Sequence, residues 1–280
     1  MFVEIDGARI FFDIVGPQLE PSGGAMVERP ALLVLHGGPG FDHSLMRPWF
    51  DRFADTHQVV YVDHRGNGRS SGDPQTWTLD RWGDDIDALC RILGVEKPVV
   101  FGISFGGMVA MSYAGRHPQG PSKLVLSSTA ARLDLQATYE MMERLGGTEA
   151  RRIAEQFWSD PSPEVMAQYL AICMPLYNPS EALGEMARAR AIVRPEVMFH
   201  FIRGEQRTMD LRPGLKQVAC PTLITAGALD PITPVSCSEE ILAALPPGVG
   251  ELLVFEDAGH GVHRDSPYRA EAVLRRFLAA

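Results

Sequence analysis

The chain has few cysteines, and their placement excludes several kinds of site. The 280 residues include four of them: Cys90, Cys173, Cys220 and Cys237. They lie far apart, form no CxxC pair and are accompanied by no histidine pair, so we expect neither a metal site nor a disulfide framework. Each lies among apolar or helix-like neighbours. This is typical of small buried hydrophobic residues in a reducing compartment.

Long apolar runs and basic clusters are also missing. No window approaches the length of an uninterrupted membrane span, which argues against a membrane protein. The amino-terminal stretch MFVEIDGARIFF carries acids early and lacks the basic-then-apolar layout of a signal peptide, so we expect a cytoplasmic location. The formal net charge of −9 argues against nucleic acid or an anionic membrane as partner.

What the chain does have is a series of short apolar runs that suit strands buried on both faces, as in a parallel sheet. Ahead of them, Asp6-Gly7 lies between two alternating segments and predicts an antiparallel hairpin. Residues 16–30 hold several prolines and glycines, which predicts a loop. The apolar runs are ALLVL (31–35), VVYVD (59–63), PVVFG (98–102), KLVLSS (123–128), PTLITAG (221–227) and ELLVFED (251–257).

Helical patterns separate these runs. In residues 78–94, apolar side chains recur at three- and four-residue steps, and Gly94 is a plausible end of that helix. A second helical pattern runs from Phe105 to His117, and Pro118 closes it. Strands alternating with helices predict an α/β fold with a mostly parallel central sheet, and the leading hairpin makes the sheet mixed.

The alternation breaks between about residues 131 and 210, where strand-like runs vanish and short helical segments follow one another. We interpret this stretch as a helical cap, inserted between core segments 1–130 and 211–280. Extra helices packed beside the sheet are the alternative. Its methionines and aromatics would offer an adaptable apolar wall: Met141, Met142, Phe157, Trp158, Met174, Tyr177, Met198 and Phe199.

Ser104 lies in a Gly-x-Ser-x-Gly segment directly between a predicted buried strand and a predicted helix. At such a junction the glycines let strand and helix pack closely, and the serine projects its hydroxyl from a strained turn. The carboxyl edge of a parallel sheet is also where such folds bind ligands. This context favours a nucleophile over a tight turn that happens to contain serine.

A serine hydroxyl needs a base, and the base needs an orienting carboxylate. His260 follows the last predicted strand in an Asp-Ala-Gly-His-Gly turn and is the best candidate for the base, with His263 as a nearby decoy. Asp230 follows PTLITAG and is placed to accept from the imidazole, although Asp-Pro is also common in turns. The order Ser, Asp, His is the one expected for this triad in α/β-hydrolases.

An oxyanion hole requires two backbone donors near the serine. The N–H of Phe105, at the start of the predicted helix, is one candidate. Gly38, in the glycine-rich turn HGGPG (36–40), is the other, because glycine lets the backbone approach a substrate closely. A simple tight turn is the alternative for this segment.

Five segments lie at the ends of predicted strands or directly after them: HGGPG (36–40), DHRGNGRSSG (63–72), GISFGG (102–107), GALDPITP (227–234) and AGHGVHRDSP (258–267). In these segments the chain resembles the α/β-hydrolase superfamily, and within it the proline iminopeptidase-like branch. The resemblance implies the triad above, a substrate-shaping cap, and a structural role for Asp63, Arg65 and Ser70. It also suggests Glu205 as a cap carboxylate for a substrate amino group, but Pro231 stands where that branch carries a second acid.

These observations predict a serine hydrolase that acts through an acyl-enzyme on a small ester, lactone or amide beneath the cap. An aminopeptidase of the proline iminopeptidase type, acting on a short peptide, is the close alternative. A non-catalytic ligand receptor on the same fold is the alternative of another class. No phosphate-binding glycine signature follows the first strand and no HExxH motif occurs, so we expect no cofactor and no metal.

Overall fold

A mixed sheet of eight strands forms the centre of the molecule, in the order β1-β2-β6-β5-β7-β8-β9-β10. The structure, a computed structural model, describes residues 1–180 and 189–280. The six neighbouring strands from β6 to β10 in this order pair in parallel. β2 pairs antiparallel with both β1 and β6. The bounds are β1 Phe2–Ile5, β2 Ala8–Val15, β3 Leu19–Ser22, β4 Ala25–Glu28, β5 Ala31–Leu35, β6 Gln58–Val62, β7 Val99–Ile103, β8 Lys123–Ser127, β9 Thr222–Gly227 and β10 Gly250–Phe255. The predicted fold class is confirmed.

The predicted hairpin at the amino terminus is also confirmed. β1 and β2 pair antiparallel, with Ile5 opposite Ala8. Asp6 and Gly7 between them have φ values of 41° and 76°. A two-residue turn with positive φ at both positions matches the twist of the flanking strands, and Asp-Gly tolerates that geometry.

The predicted loop at residues 16–30 is wrong, because β3 and β4 form a separate two-stranded hairpin there. Gly23, with φ of 60°, lies in its turn. Almost every residue of this hairpin is exposed, so neither face carries the alternating apolar pattern that marks a half-buried strand.

Helices cover both faces of the sheet. α1 ends as predicted, with Gly94 left-handed at φ 67°, and α2 follows β7 directly. The helices are α1 Leu79–Leu93, α2 Phe105–Arg116, α3 Leu135–Ser159, α4 Pro163–Ile172, α5 Pro195–Arg203, α6 Arg212–Leu215, α7 Val235–Ala244, α8 Val262–Asp265 and α9 Pro267–Ala279. Short 3-10 helices occupy His43–Met46, Trp49–Asp55, Pro74–Thr76, Met174–Tyr177 and Glu205–Arg207.

Two apolar cores lie on opposite faces of the sheet because its central strands are buried throughout. In β5, Leu33 and Leu35 pack with α1 and α2, whereas Leu32 and Val34 face the opposite core. This double burial explains why the central strands read as continuous apolar runs. It also leaves the carboxyl ends of the strands as the edge at which polar loops collect.

A helical insertion separates β8 from β9, and the described residues between those strands contain no strand. Gly147, with φ of 76°, breaks α3 into two parts. Phe157 stacks on Tyr169 at 4.2 Å, and both belong to a core shared with Ile232, from the loop after β9. The insertion therefore packs against the carboxyl edge of the sheet. Residues 181–188 of the predicted cap lie outside the described residues, and the limits 131–210 stay a prediction.

The four cysteines are free and buried, as their sequence neighbours predicted. Burial raises the pKa of Cys90 to about 12 and that of Cys173 to about 11, which keeps both as thiols. None of the helices in residues 1–180 and 189–280 combines the length and apolar character needed to cross a bilayer.

Candidate active site

Ser104 occupies a strained turn between β7 and α2, with φ of 54° and ψ of −123°. Two glycines make this turn possible. A Cβ on Gly102 would lie 2.3 Å from the carbonyl oxygen of Gly106, and a Cβ on Gly106 would lie 2.3 Å from the carbonyl oxygen of Leu35. Positive φ at a non-glycine residue persists only where the surrounding packing enforces it, and it is common at functional sites.

Asp230 and His260 form a pair at the ends of β9 and β10, in which Asp230 is buried and His260 is partly exposed. Nδ1 of His260 lies 2.8 Å and 3.0 Å from the two carboxylate oxygens of Asp230. The Asp230 side chain is fully buried and also accepts from the backbone N–H of Ile232 and from both the N–H and the hydroxyl of Thr233. When Nδ1 carries the proton of the ring, Nε2 is left with a free lone pair.

Ser104 and His260 line the same cavity. The ring hydrogen bonds of His260 run to Asp230 and Thr233, and within residues 1–180 and 189–280 none joins the imidazole to the Ser104 hydroxyl. Hydrogen bonds between catalytic groups are often long before a substrate binds and tighten in the complex. The arrangement therefore brings the hydroxyl of Ser104, on its strained turn, and an imidazole oriented by Asp230 to the same cavity.

The two predicted oxyanion donors belong to segments that adjoin Ser104. Phe105 is the first residue of α2, where backbone N–H groups have no intrahelical partner, and its side chain is buried against Trp82. Gly38 lines the cavity with φ of 132°. A Cβ on the neighbouring Gly37 would lie 3.3 Å from the Cβ of Ser104, so this turn passes directly beside the serine.

The cavity has a volume of about 460 Å³ and lies between the insertion and the carboxyl edge of the sheet. Its wall is largely apolar, and five of the eight residues predicted to form that wall line it: Phe157, Trp158, Met174, Tyr177 and Met198. Met141, Met142 and Phe199 are not among the lining residues. Arg47 and Arg264 line it too, whereas no carboxylate of the described residues does.

Glu205 has contacts that differ from the substrate role suggested for it. Its Oε2 accepts from the backbone N–H of Leu79 at 2.7 Å, at the start of α1. Burial raises the pKa of this carboxyl above its usual range, and the hydrogen bond from Leu79 opposes that rise. Glu205 does not belong to the set of described residues that line the cavity.

The loop after β6 is tied into the protein by its own polar side chains. Arg65 forms a buried ion pair with Asp85 at 2.7 Å. Ser70 donates to the carbonyl oxygen of Asp63 at 2.6 Å. Burial raises the pKa of Asp63, but the hydrogen bond from His43, the charges of His36 and His43 and the hydrogen bond from the N–H of Arg69 together bring it down to about 2. These contacts support the structural role that the family resemblance implies.

Asp42, His43 and Asp63 are also close enough together to hold a metal ion. Their ligand atoms are already used within the protein. His43 donates to Asp63 at 2.7 Å. Arg69 lies 2.7 Å from Asp42 and 3.6 Å from Asp63. The guanidinium therefore supplies the positive charge that these two buried carboxylates require.

Sequence reasoning missed the contacts that three residues make beside the triad candidates. Thr233 braces Asp230, and the Asp-x-x-Thr spacing is a local pattern that signals such a contact. Tyr177 and Asn178 contact the loop that carries His260. No local pattern marks these two contacts, because they join segments that are 83 residues apart.

Comparison with known proteins gives the same fold. Residues 30–160 match a family model described as the alpha/beta hydrolase fold. A proline iminopeptidase of Levilactobacillus brevis is 30% identical over 270 residues, which cover 89% of this chain and 88% of the relative. The 3-oxoadipate enol-lactonase 2 of Acinetobacter baylyi is 26% identical over 263 residues, covering 89% and 90% of the two chains.

A solved structure extends the likeness to the whole chain. It is a thermophilic esterase of Thermogutta terrifontis, which matches with a TM-score of 0.70 and 25% identity and covers 99% of this chain and 96% of that one. The three relatives carry names from three kinds of hydrolysis on one architecture. The chain belongs to the α/β-hydrolase family and is a hydrolase of that fold.

Proposed function

We propose that this chain is a serine hydrolase that acts through an acyl-enzyme on a small ester or lactone. The observation that carries the proposal is the convergence of three features on one cavity. These are the strained turn at Ser104, the Asp230–His260 pair, and the backbone donors beside the serine. Together they supply the nucleophile, the oriented base and the anion-stabilising donors that acyl transfer needs.

In the first half of the reaction, Oγ of Ser104 attacks the substrate carbonyl carbon while Nε2 of His260 takes the hydroxyl proton. The backbone N–H groups of Phe105 and Gly38 stabilise the oxyanion that forms. Asp230 accepts from Nδ1 and stabilises the imidazolium. The imidazolium then returns its proton to the departing alkoxide, and the bond from carbon to the leaving oxygen breaks.

The second half repeats these steps with water. His260 takes a proton from water, and the resulting nucleophile attacks the acyl carbon of the ester on Ser104. Collapse of the second oxyanion breaks the bond to Oγ, which regains its proton from the imidazolium. The products are a carboxylic acid and an alcohol, or a hydroxy acid where the substrate is a lactone.

The charge of the cavity wall favours esters and lactones over substrates with a free amino group. Two arginines and no carboxylate line the cavity among the described residues. The one acid that sequence suggested for an ammonium, Glu205, accepts from the backbone of α1 instead. Among the described residues, a substrate ammonium would therefore lose its hydration without gaining a countercharge, which is costly.

Aminopeptidase activity remains the second candidate, because the relative with 30% identity is named a proline iminopeptidase. A panel of short-chain aryl esters, lactones and prolyl arylamides separates the two candidates. We expect kcat/KM to be highest for the uncharged esters or lactones. Faster turnover of prolyl arylamide than of any ester or lactone would reverse the assignment.

Replacing Ser104 with Ala tests the mechanism itself. We expect turnover to fall by at least about a thousandfold, because His260 and Asp230 contribute to catalysis only when the serine nucleophile is present. A fluorophosphonate probe is expected to label Ser104 in the unmodified chain and not in the variant. Ser236→Ala, at an exposed serine of α7, is the matched control and is expected to keep full activity.

Undiminished turnover in Ser104→Ala would contradict the mechanism. A chain that neither reacts with the fluorophosphonate nor turns over any substrate of the panel, but still binds a small molecule in the cavity, would indicate the receptor alternative. Both outcomes are read from the same preparations, with the melting temperature showing that each variant is folded.

A further inference from the structure

The loop that carries His260 is held by the helical insertion as well as by the core. The backbone N–H of His260 donates to the carbonyl oxygen of Tyr177 at 2.7 Å. The next N–H, of Gly261, donates to the side-chain oxygen of Asn178 at 2.7 Å. Two successive amides of this loop are thus satisfied by two successive residues of the insertion.

A carboxylate makes a third link between the same segments. Oδ2 of Asp265 accepts from the N–H of Gly259 at 2.8 Å. The other oxygen, Oδ1, accepts from the hydroxyl of Ser180 and from its N–H at 3.4 Å. We call residues 177–180 the clamp segment, since their contacts flank His260 on both sides.

The glycines around His260 fit this contact. A Cβ on Gly259 would lie 2.1 Å from the carbonyl oxygen of Tyr177, and a Cβ on Gly261 would lie 2.7 Å from the side-chain oxygen of Asn178. Any other residue at position 259 would push the clamp segment away. The Gly-His-Gly sequence therefore suits close packing against the insertion as well as a turn at the sheet edge.

Contacts from the core fix the other side of the loop. Asp230 holds Nδ1 of the ring, and the N–H of Leu229 donates to the carbonyl oxygen of Ala258 at 2.9 Å. These contacts leave the backbone amides at 260 and 261 to the clamp segment. The ring of Tyr177 also meets the imidazole edge-on, at 5.4 Å between centroids.

We infer that Asn178 is a positioning residue, which places the general base by holding the N–H of Gly261 against the clamp segment. The inference rests on the proposed function, in which His260 is that base. The insertion then does more than shape the cavity, because its clamp segment forms part of the support for the imidazole. A change that displaces the clamp segment lowers the rate of proton transfer even where the cavity wall is intact.

The test compares Asn178→Ala with Asn178→Asp, which keeps an oxygen acceptor at the same position. Loss of one supporting hydrogen bond is expected to lower kcat by roughly tenfold. Asn178 also lines the cavity, and we expect KM to change less than kcat, since the lost hydrogen bond supports the general base. Asn178→Asp is expected to recover most of kcat.

Ser162→Ala is the matched control. Its hydroxyl accepts from the backbone N–H of Val165 at 3.3 Å and caps α4, and it donates to Glu164 and not to the His260 loop. It removes a side-chain-to-amide hydrogen bond from the same insertion, so it is expected to lower the melting temperature without lowering kcat. Amide hydrogen exchange at Gly261 gives a readout that needs no activity, and we expect faster exchange in Asn178→Ala alone.

Two results would overturn the inference. One is Asn178→Ala with the kcat and the Gly261 exchange rate of the unmodified chain. The other is a loss of kcat that Ser162→Ala reproduces at equal melting temperature, which would assign the effect to stability. Both differ from failure of the proposed function, in which Ser104→Ala keeps its activity.

Discussion

Glu205, the carboxylate that the family resemblance suggests for substrate binding, contacts the start of α1 in the structure. Its side chain accepts from the N–H of Leu79, one of the first amides of α1, which have no intrahelical partner. A negative charge at the amino end of a helix is also favoured by the helix dipole. Thr78 satisfies a further amide, that of Arg81, so the two side chains share the start of α1.

We expect Glu205→Ala to lower the free energy of unfolding by about 1 kcal/mol, the usual cost of losing a helix cap. Glu205→Gln, which keeps an oxygen acceptor, is expected to lose less. Neither change should alter kcat/KM for esters, because the residue is not part of the described cavity wall. Urea unfolding and ester kinetics on the two variants provide the measurement. A selective loss of prolyl arylamide turnover in Glu205→Gln would restore its substrate role.

At the scale of elements, the active-site turn depends on the approach of α2 to the strands behind it. Gly106 is the contact point, since a Cβ there would lie 2.3 Å from the carbonyl oxygen of Leu35 and 2.5 Å from that of His36. Those carbonyls end β5 and lead into the turn that carries Gly38. The packing of one helix therefore sets the distance between the serine and the turn that carries Gly38.

Gly106→Ala is accordingly expected to reduce activity more than an ordinary surface change. Separating α2 from β5 strains backbone and not a flexible side chain, and overpacking of this kind typically costs about 1–3 kcal/mol. We expect a lower midpoint of urea unfolding together with a lower kcat. Gly24→Ala is the control, because a Cβ there meets nothing within 4 Å. Equal stability and kcat in both variants would show that α2 moves away freely.

The sequence predicts the elements whose pattern is local and misses those whose contacts are remote. The buried strands β5–β9 and the hairpin at Asp6-Gly7 carry their signal in a few adjacent residues, and the structure has them as predicted. The β3–β4 hairpin lacks a buried face, so it has no such pattern. Asn178 and Gly261 meet only because the insertion folds back onto the sheet edge, which no local spacing encodes.

In the candidate site, too, features with a local sequence pattern are predicted and features that depend on remote contacts are not. Gly-x-Ser-x-Gly at a strand–helix junction identifies Ser104, and strand ends identify Asp230 and His260, because sheet geometry collects strand ends at one edge. The sequence alone does not predict the charge of the cavity wall. It depends on where Arg47, from the loop after β5, and the insertion come to lie in three dimensions.

At the scale of the whole molecule, several histidines are enclosed as neutral imidazoles. Burial lowers the pKa of His36 and His64. Burial, aided by the charges of Arg264 and other neighbours, lowers the pKa of His263 to about 4. Nδ1 of His263 and Nε2 of His64 have no hydrogen-bond partner among the described residues. Each of these groups takes up protons more readily in the unfolded chain than in the folded one.

The protein should therefore lose stability in two separate acid windows. For the imidazoles, the folded pKa lies below the unfolded value of 6.5, so the unfolded state binds more protons as the pH falls from about 6.5 towards 4, and stability decreases there. Asp63, with a folded pKa of about 2 against 3.8, adds a loss only below about pH 4. An apparent transition confined to the lower window would contradict the assignment of buried neutral imidazoles.

His263→Phe isolates one imidazole from this sum. With a folded pKa near 4, His263 alone accounts for about 2 kcal/mol of the free energy of unfolding lost between pH 7.5 and pH 5. Phenylalanine keeps the aromatic contacts to Trp49 and Phe50 and cannot be protonated. Urea unfolding of both proteins at the two pH values is the measurement, and we expect the variant to lose about 2 kcal/mol less. An identical loss in both proteins would mean that His263 is already solvated and titrates normally in the folded state.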